Sequence, residues 1–171
     1  MRRLTLCPSL LLGLLFLLLP ISLAACGDEA EKRTSSKEAN KEYDRRDPNA
    51  AGCSNPALIQ SGAVSDVPGS RQPVKLSDGK VLGTLTLRRS TKCQTMWGRV
   101  DGLPKTPTGY DEMYVAVTRP EDKKTASFKT KDVFMAVFGD MLSYQGGCIK
   151  ATAYVIRRGQ KGPTAVTPCK T

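Results

Sequence analysis

Few groups in this chain have the type and spacing for chemistry. Ser77-Asp78-Gly79-Lys80 has the Ser-x-x-Lys spacing of penicillin-recognising nucleophiles. That chemistry needs the serine at a helix start, the lysine one turn on, and partner Ser-Asp-Asn and Lys-Thr-Gly motifs. Neither partner motif occurs, and Asp-Gly between two apolar runs is a hairpin signal, so the tetrapeptide reads as a turn. Asp44, Asp47 and Asn49 offer oxygen ligands, but their spacing is not that of a calcium loop and no bidentate glutamate follows. A turn opening on Asp47-Pro48 is the simpler reading. Asp111 and Glu112 are adjacent, so on a strand they point to opposite sides, which is wrong for a glycosidase pair. The chain has no histidine, which excludes Ser-His-Asp and Cys-His nucleophile systems and His-ligated zinc. An enzyme is therefore the least favoured class, with no cofactor and no metal expected.

The cysteines say more. Six are present. Cys7 lies in a leader and Cys26 directly follows it, which leaves Cys53, Cys93, Cys148 and Cys169. An even number in an exported domain points to two disulfides. Three pairings are open. Cys53 with Cys93 and Cys148 with Cys169 is preferred, because the first pins the opening segment to a strand and the second staples the C-terminal tail. No two of the four lie close in sequence, which argues against a redox Cys-x-x-Cys pair or a zinc knuckle.

Basic residues dominate the remaining charge. The whole chain carries 26 Lys plus Arg against 16 Asp plus Glu, and residues 43–171 alone keep 20 against 11, a formal +9. Three clusters carry it: Arg88, Arg89 and Lys92; Lys123, Lys124, Lys129 and Lys131; Arg157, Arg158 and Lys161. Clusters meeting on one face would attract a polyanion, whereas dispersed clusters are a solvated surface. Few aromatics neighbour them in sequence, so nucleic acid, which needs stacking platforms, is not expected. An anionic envelope polymer, the anionic membrane or an envelope protein is the more accessible partner. Trp97, the only tryptophan, offers a stacking surface, but on a strand it shares a face with Cys93 and Thr95, so packing against the Cys93 disulfide is the more economical role.

The first 25 residues read as an export signal: Arg2-Arg3, an apolar run from Leu10 to Leu19, then Pro20-Ile21-Ser22-Leu23-Ala24-Ala25 before Cys26. The apolar run is shorter than the ~20 residues that spanning needs. Leu23-Ala24-Ala25-Cys26 is similar to the bacterial lipobox, whose cysteine receives a diacylglyceryl group before cleavage. Two acyl chains hold a protein stably where one does so marginally, so the expectation is a lipid anchor on Cys26 at the outer face of the cytoplasmic membrane. Residues 27–42, with five acids and four bases and no aromatic or branched aliphatic residue, cannot bury anything and read as a charged tether.

What must position these groups is a set of short strands. Val81 to Arg88 alternates with period two, and Gln94 to Val100, Glu112 to Thr118, Val133 to Phe138 and Ile149 to Arg157 are further strand candidates. Turn clusters at Asp101 to Pro104, Arg119 to Asp122, Gly139-Asp140 and Arg158 to Pro163 separate them. This spacing predicts a mainly β domain over residues 43–171, a small antiparallel sandwich or barrel. A short helix is expected near Asn55 to Ser61. The loop from Leu103 to Tyr110, with Pro104 and Pro107, is where an inhibitor of a secreted enzyme would present a rigid segment.

The segment from Thr86 to Val100, a strand ending in Leu87-Arg88, then Cys93, Trp97 and Arg99-Val100, resembles the signature of an actinobacterial exported family catalogued as domain of unknown function 2690. Tyr43 to Cys53, with Asp47-Pro48 and Gly52-Cys53, resembles the opening of that family, which often has a further cysteine near the position of Tyr43. The resemblance implies a compact exported β domain and no assigned activity. The combined expectation is a lipid-anchored envelope binding or support module, with an inhibitor or partner-binding domain as the alternative.

Overall fold

The computed structural model describes residues 40–104, 110–132 and 135–171. The leader, Cys26 and most of the tether lie outside the described residues, as do Lys105 to Gly109 of the proline loop and Val133-Phe134.

Among the described residues eleven strands form two antiparallel sheets that face each other as a sandwich. The first sheet contains β1 (Val64–Asp66), β2 (Gln72–Lys75), β3 (Val81–Ser90), β4 (Thr95–Asp101), β7 (Ala136–Phe138) and β8 (Leu142–Ser143). Here β3 pairs with β1, β2 and β4, and β4 also pairs with β7 and β8. The second sheet runs β6 (Lys124–Thr130), β5 (Glu112–Arg119), β9 (Lys150–Arg157), with β10 (Gln160–Lys161) and β11 (Ala165–Val166) along the far edge of β9.

Local sequence explains the turns. Asp78 Oδ1 accepts from the Lys80 amide at 2.9 Å, and Gly79 takes a φ of 85°, which closes the β2–β3 hairpin. Arg158 and Gly159 both take positive φ, 52° and 73°, between paired Arg157 and Gln160. Two residues of that hand match the twist of the flanking strands. Asn55 caps α1 (Pro56–Gln60) by accepting from the Leu58 amide, with Pro56 in the first turn. Gln94, expected to begin a strand, instead takes a φ of 54° in the β3–β4 turn, and the strand starts at Thr95.

Alternation then decides the packing. Leu85 and Leu87 of β3 and Met96 and Val100 of β4 point inward, against Met113, Val115 and Val117 of β5 and Ala151, Ala153 and Val155 of β9. The sheets approach closely at Gly98. A Cβ there would lie 3.0 Å from Val115 Cγ1 and 3.2 Å from Ala151 Cβ, so any larger residue would have to push these neighbours aside.

The outer face of the first sheet is also covered. The segment around Tyr43 to Leu58 lies over it and builds a second, smaller core of Cys53, Val64, Cys93, Trp97 and Met141, with Leu58 and Phe138 packed alongside. All four residues from Thr95 to Gly98 are therefore buried despite the strand's alternation. The Cys53–Cys93 disulfide ties this cover to the β3–β4 turn, and Cys148–Cys169 ties the C-terminal tail beside β9. Disulfides suit an oxidising, extracytoplasmic location.

Candidate functional site

Among the described residues none forms such a cover over the outer face of the second sheet, whose side chains follow from strand register. Lys129, Tyr114 and Tyr154 lie side by side across β6, β5 and β9. The next row runs Glu112, Ile156, Lys161 across β5, β9 and β10. At an inter-strand spacing of about 4.8 Å, these four strands make a face about 14 Å wide.

The two tyrosines stack, with ring centroids 4.8 Å apart and planes inclined by 21°. Lys161 Nζ stands 4.0 Å from the Tyr154 centroid, a cation–π contact. Lys129 Nζ bonds Glu112 Oε1 at 2.9 Å, and that hydrogen bond, then the carboxylate's charge, raises the lysine above its ordinary value. Beyond the rings the face continues in small polar groups, Ser127, Thr152, Thr118 and Thr125, with Lys150 at its far end. The result is a flat strip with an aromatic centre, lysines on both flanks and one carboxylate.

The basic clusters read from the sequence distribute unevenly. Arg88 is only 12% exposed and pairs with Asp66 at 3.2 Å on the covered first sheet. Arg89, the next residue of β3, is half-buried on the other side of the sheet, opposite Met96, and Lys92 is exposed in the β3–β4 turn. Lys123 is exposed in the turn after β5. Lys124 is bound to Asp44 at 3.1 Å, in a network with Arg119 and Asp122, and so serves the fold. Arg157 reaches Asp78 at 3.9 Å and lines a cleft of about 290 Å³ with Lys80, Leu82 and Pro104. Arg158 is exposed on the β9–β10 turn. Lys129 and Lys161, from two different clusters, share the tyrosine face.

Tyr114 and Tyr154 are the residues that sequence reasoning missed. The expectation of few aromatics beside the basic clusters holds along the chain and fails in space, because Tyr154 is seven positions from Lys161 yet lies beneath it.

The other motifs resolve as local structure. Ser77 to Lys80 is the β2–β3 turn, with the Ser77 hydroxyl 3.3 Å from Gln160 Oε1. Asp47 Oδ1 accepts from the amides of Asn49 and Ala50 at 2.7 and 3.1 Å. Trp97 is 2% exposed in the second core. Among the described residues no group of three or more His, Cys, Asp or Glu could hold a metal ion. Leu103 and Tyr110, which flank the undescribed part of the proline loop, are both buried.

Two further concavities flank Phe138, each about 130 Å³. One lies among Asp47, Phe128, Val137 and Asp140. There burial, then the charge of Asp47, raises the Asp140 carboxyl above its ordinary value. The other lies over Trp97 between Arg88 and Arg99.

Compared with family models, curated proteins and solved structures, the chain finds no match in any of the three.

Proposed function

We propose that this protein is a lipid-anchored module of the cell envelope that binds an anionic envelope polymer through the outer face of β6, β5, β9 and β10. The observation that carries this reading is Lys161 over the Tyr154 ring, itself stacked on Tyr114. The outward ring edges of the stacked pair offer apolar contact to sugar or polyol carbons, and the flanking ammonium groups hold phosphate or carboxylate. A flat face suits a repeating chain better than a small metabolite, which takes a concave site. The lipobox-like Leu23-Ala24-Ala25-Cys26 supports attachment by diacylglyceryl on Cys26, and the charged segment after it supports a spacer.

Binding to a purified poly(glycerol phosphate) chain tests the reading. Each neutralised phosphate releases a counterion, so affinity is expected to fall log-linearly as salt rises. Lys161→Gln is expected to weaken binding several-fold and lower the salt slope by about one. Tyr154→Ala is expected to weaken it with little change in slope. With no histidine in the chain, binding is expected to be nearly flat from about pH 5 to 8. Salt-insensitive binding, or binding untouched by both substitutions, would remove the polymer reading.

A further inference from the structure

The covered side of the sandwich holds a different site. Arg88 on β3 and Arg99 on β4 both line the pocket of about 130 Å³ over Trp97, with Asn49 and Ser54 of the N-terminal cover on its opposite wall. Strand alternation explains the convergence, since Arg88 is directly opposite Trp97 in the β3–β4 register and Arg99 follows two residues later on the same outer face.

Neither guanidinium is fully used by the fold. Arg88 meets Asp66 through Nε at 3.2 Å, and Arg99 bonds Asp101 through Nε at 2.7 Å. Among the described residues, neither donates a hydrogen bond from a terminal nitrogen. Arg71 also reaches Asp66, at 3.5 Å, so three guanidiniums share two carboxylates and one positive charge is left over. Ser54 Oγ donates to Asn49 Oδ1, which leaves the Asn49 amide nitrogen as a further donor in the lining. Burial and the facing charge of Arg99 push Arg88 below its ordinary value, so bringing an anion here would relieve a repulsion that the fold leaves in place. Asp47 and Asp140 lie beyond Phe138 in the neighbouring pocket.

We infer that the Arg88–Arg99 pocket over Trp97 is a binding site for a single phosphate group, free or as a monoester. Paired guanidiniums match the geometry of phosphate oxygens, which an ammonium cannot do. The volume, close to that of a cavity that admits a benzene ring at about 150 Å³, leaves room for a few carbons beside the indole. This site is independent of the tyrosine face, and neither needs the other.

The test uses inorganic phosphate and glycerol 3-phosphate, titrated by calorimetry and by emission of Trp97, the sole tryptophan, with chloride at matched ionic strength as the control. Saturable binding is expected. Arg99→Gln, at the more exposed of the two arginines, is expected to lose at least about tenfold in affinity. Arg99→Lys should recover only part of it, because the charge returns without the fork. Lys123→Gln, at an exposed turn lysine outside both sites, should leave phosphate binding unchanged, and the Trp97 emission, which reports on this pocket, separates it from the polymer face. Tighter binding of the ester identifies an organic phosphate, and tighter binding of inorganic phosphate identifies the free ion. The inference is overturned if nothing saturates, if chloride reproduces the signal, or if folded Arg99→Gln binds as the parent does. Arg88→Gln serves as a second variant, checked for folding by the thermal transition.

Discussion

Arg119 at the end of β5 and Asp44, 75 positions earlier, approach to 3.5 Å with only 6% and 10% of their side chains exposed. Asp44 also accepts from the Ser143 amide at 2.7 Å, and Arg119 donates to the Ser143 carbonyl and twice to Asp122. One ion pair thus joins the opening segment, β5, β8 and the β5–β6 turn. Removing one partner of a buried pair leaves the other charge unpaired and costs about 3–5 kcal/mol. Arg119→Ala is therefore expected to lower the unfolding free energy by about that amount, measured by denaturant titration. A loss no larger than that of an exposed arginine would show that the network carries little stability.

Asp122 gives this network its acid limit. Its hydrogen bonds from Arg119, then the Lys124 amide, hold its carboxyl at about 2 against an ordinary 3.8. A carboxyl depressed in the folded state adds stability above its unfolded value and loses it as pH falls. The Asp122 contribution should therefore be full above about pH 4 and fade towards pH 2. It is weakened by solvent, since 40% of the side chain is exposed. Melting curves of the parent and Asp122→Asn should differ at pH 6 and converge near pH 2. Parallel curves over that interval would show that Asp122 does not set the limit.

Asp140 acts in the opposite sense. Its carboxyl is raised by burial and by Asp47, so folding disfavours its ionised form and ionisation costs stability as pH rises past the ordinary value. Asp140→Asn is expected to raise the melting temperature at pH 7 and to leave it unchanged near pH 3. A lower melting temperature at pH 7 would mean that the carboxylate has a stabilising partner.

The two disulfides should differ in worth. Their cysteines are separated by 40 and 21 residues, which chain entropy converts to about 4 and about 3 kcal/mol respectively. Replacing Cys53 and Cys93 by alanine should cost the more of the two, since it also opens the second core. Non-reduced protein should be about 4 Da lighter than reduced protein. Equal stability of the two double variants would show that loop length does not govern their effect.

Much of the sandwich was legible because its central strands alternate. Leu85 and Leu87, Met113 to Val117 and Ala151 to Val155 announce their buried face with period two, and Asp78-Gly79 announces its hairpin. By contrast, β6 reads KTASFKT, with Ala126 as its only fully buried apolar residue, so it passed for a basic cluster. Three-residue β1 and the two-residue β8, β10 and β11 exist through pairing with longer neighbours and have no periodicity of their own. The candidate sites were half visible. Strand alternation places Trp97 and Arg99 on one face, yet only the register of β3 with β4 brings Arg88 to them. Likewise no sequence signal aligns Tyr114 with Tyr154, because that contact is set by the pairing of β5 with β9, more than thirty residues apart.

The Cys53–Cys93 bond has a mechanical consequence. A load applied at the N-terminal end of the domain first meets the ion pairs and hydrogen bonds of residues 40–52, which can peel one after another. At Cys53 the load passes through a covalent bond into the β3–β4 turn. The strands between the two cysteines, β1 to β3, then lie inside a closed loop and bear no tension. Pulling from that end should therefore stretch the molecule by no more than the opening segment before β4 begins to carry force, and reduction of this one bond should convert that stop into continuous unravelling.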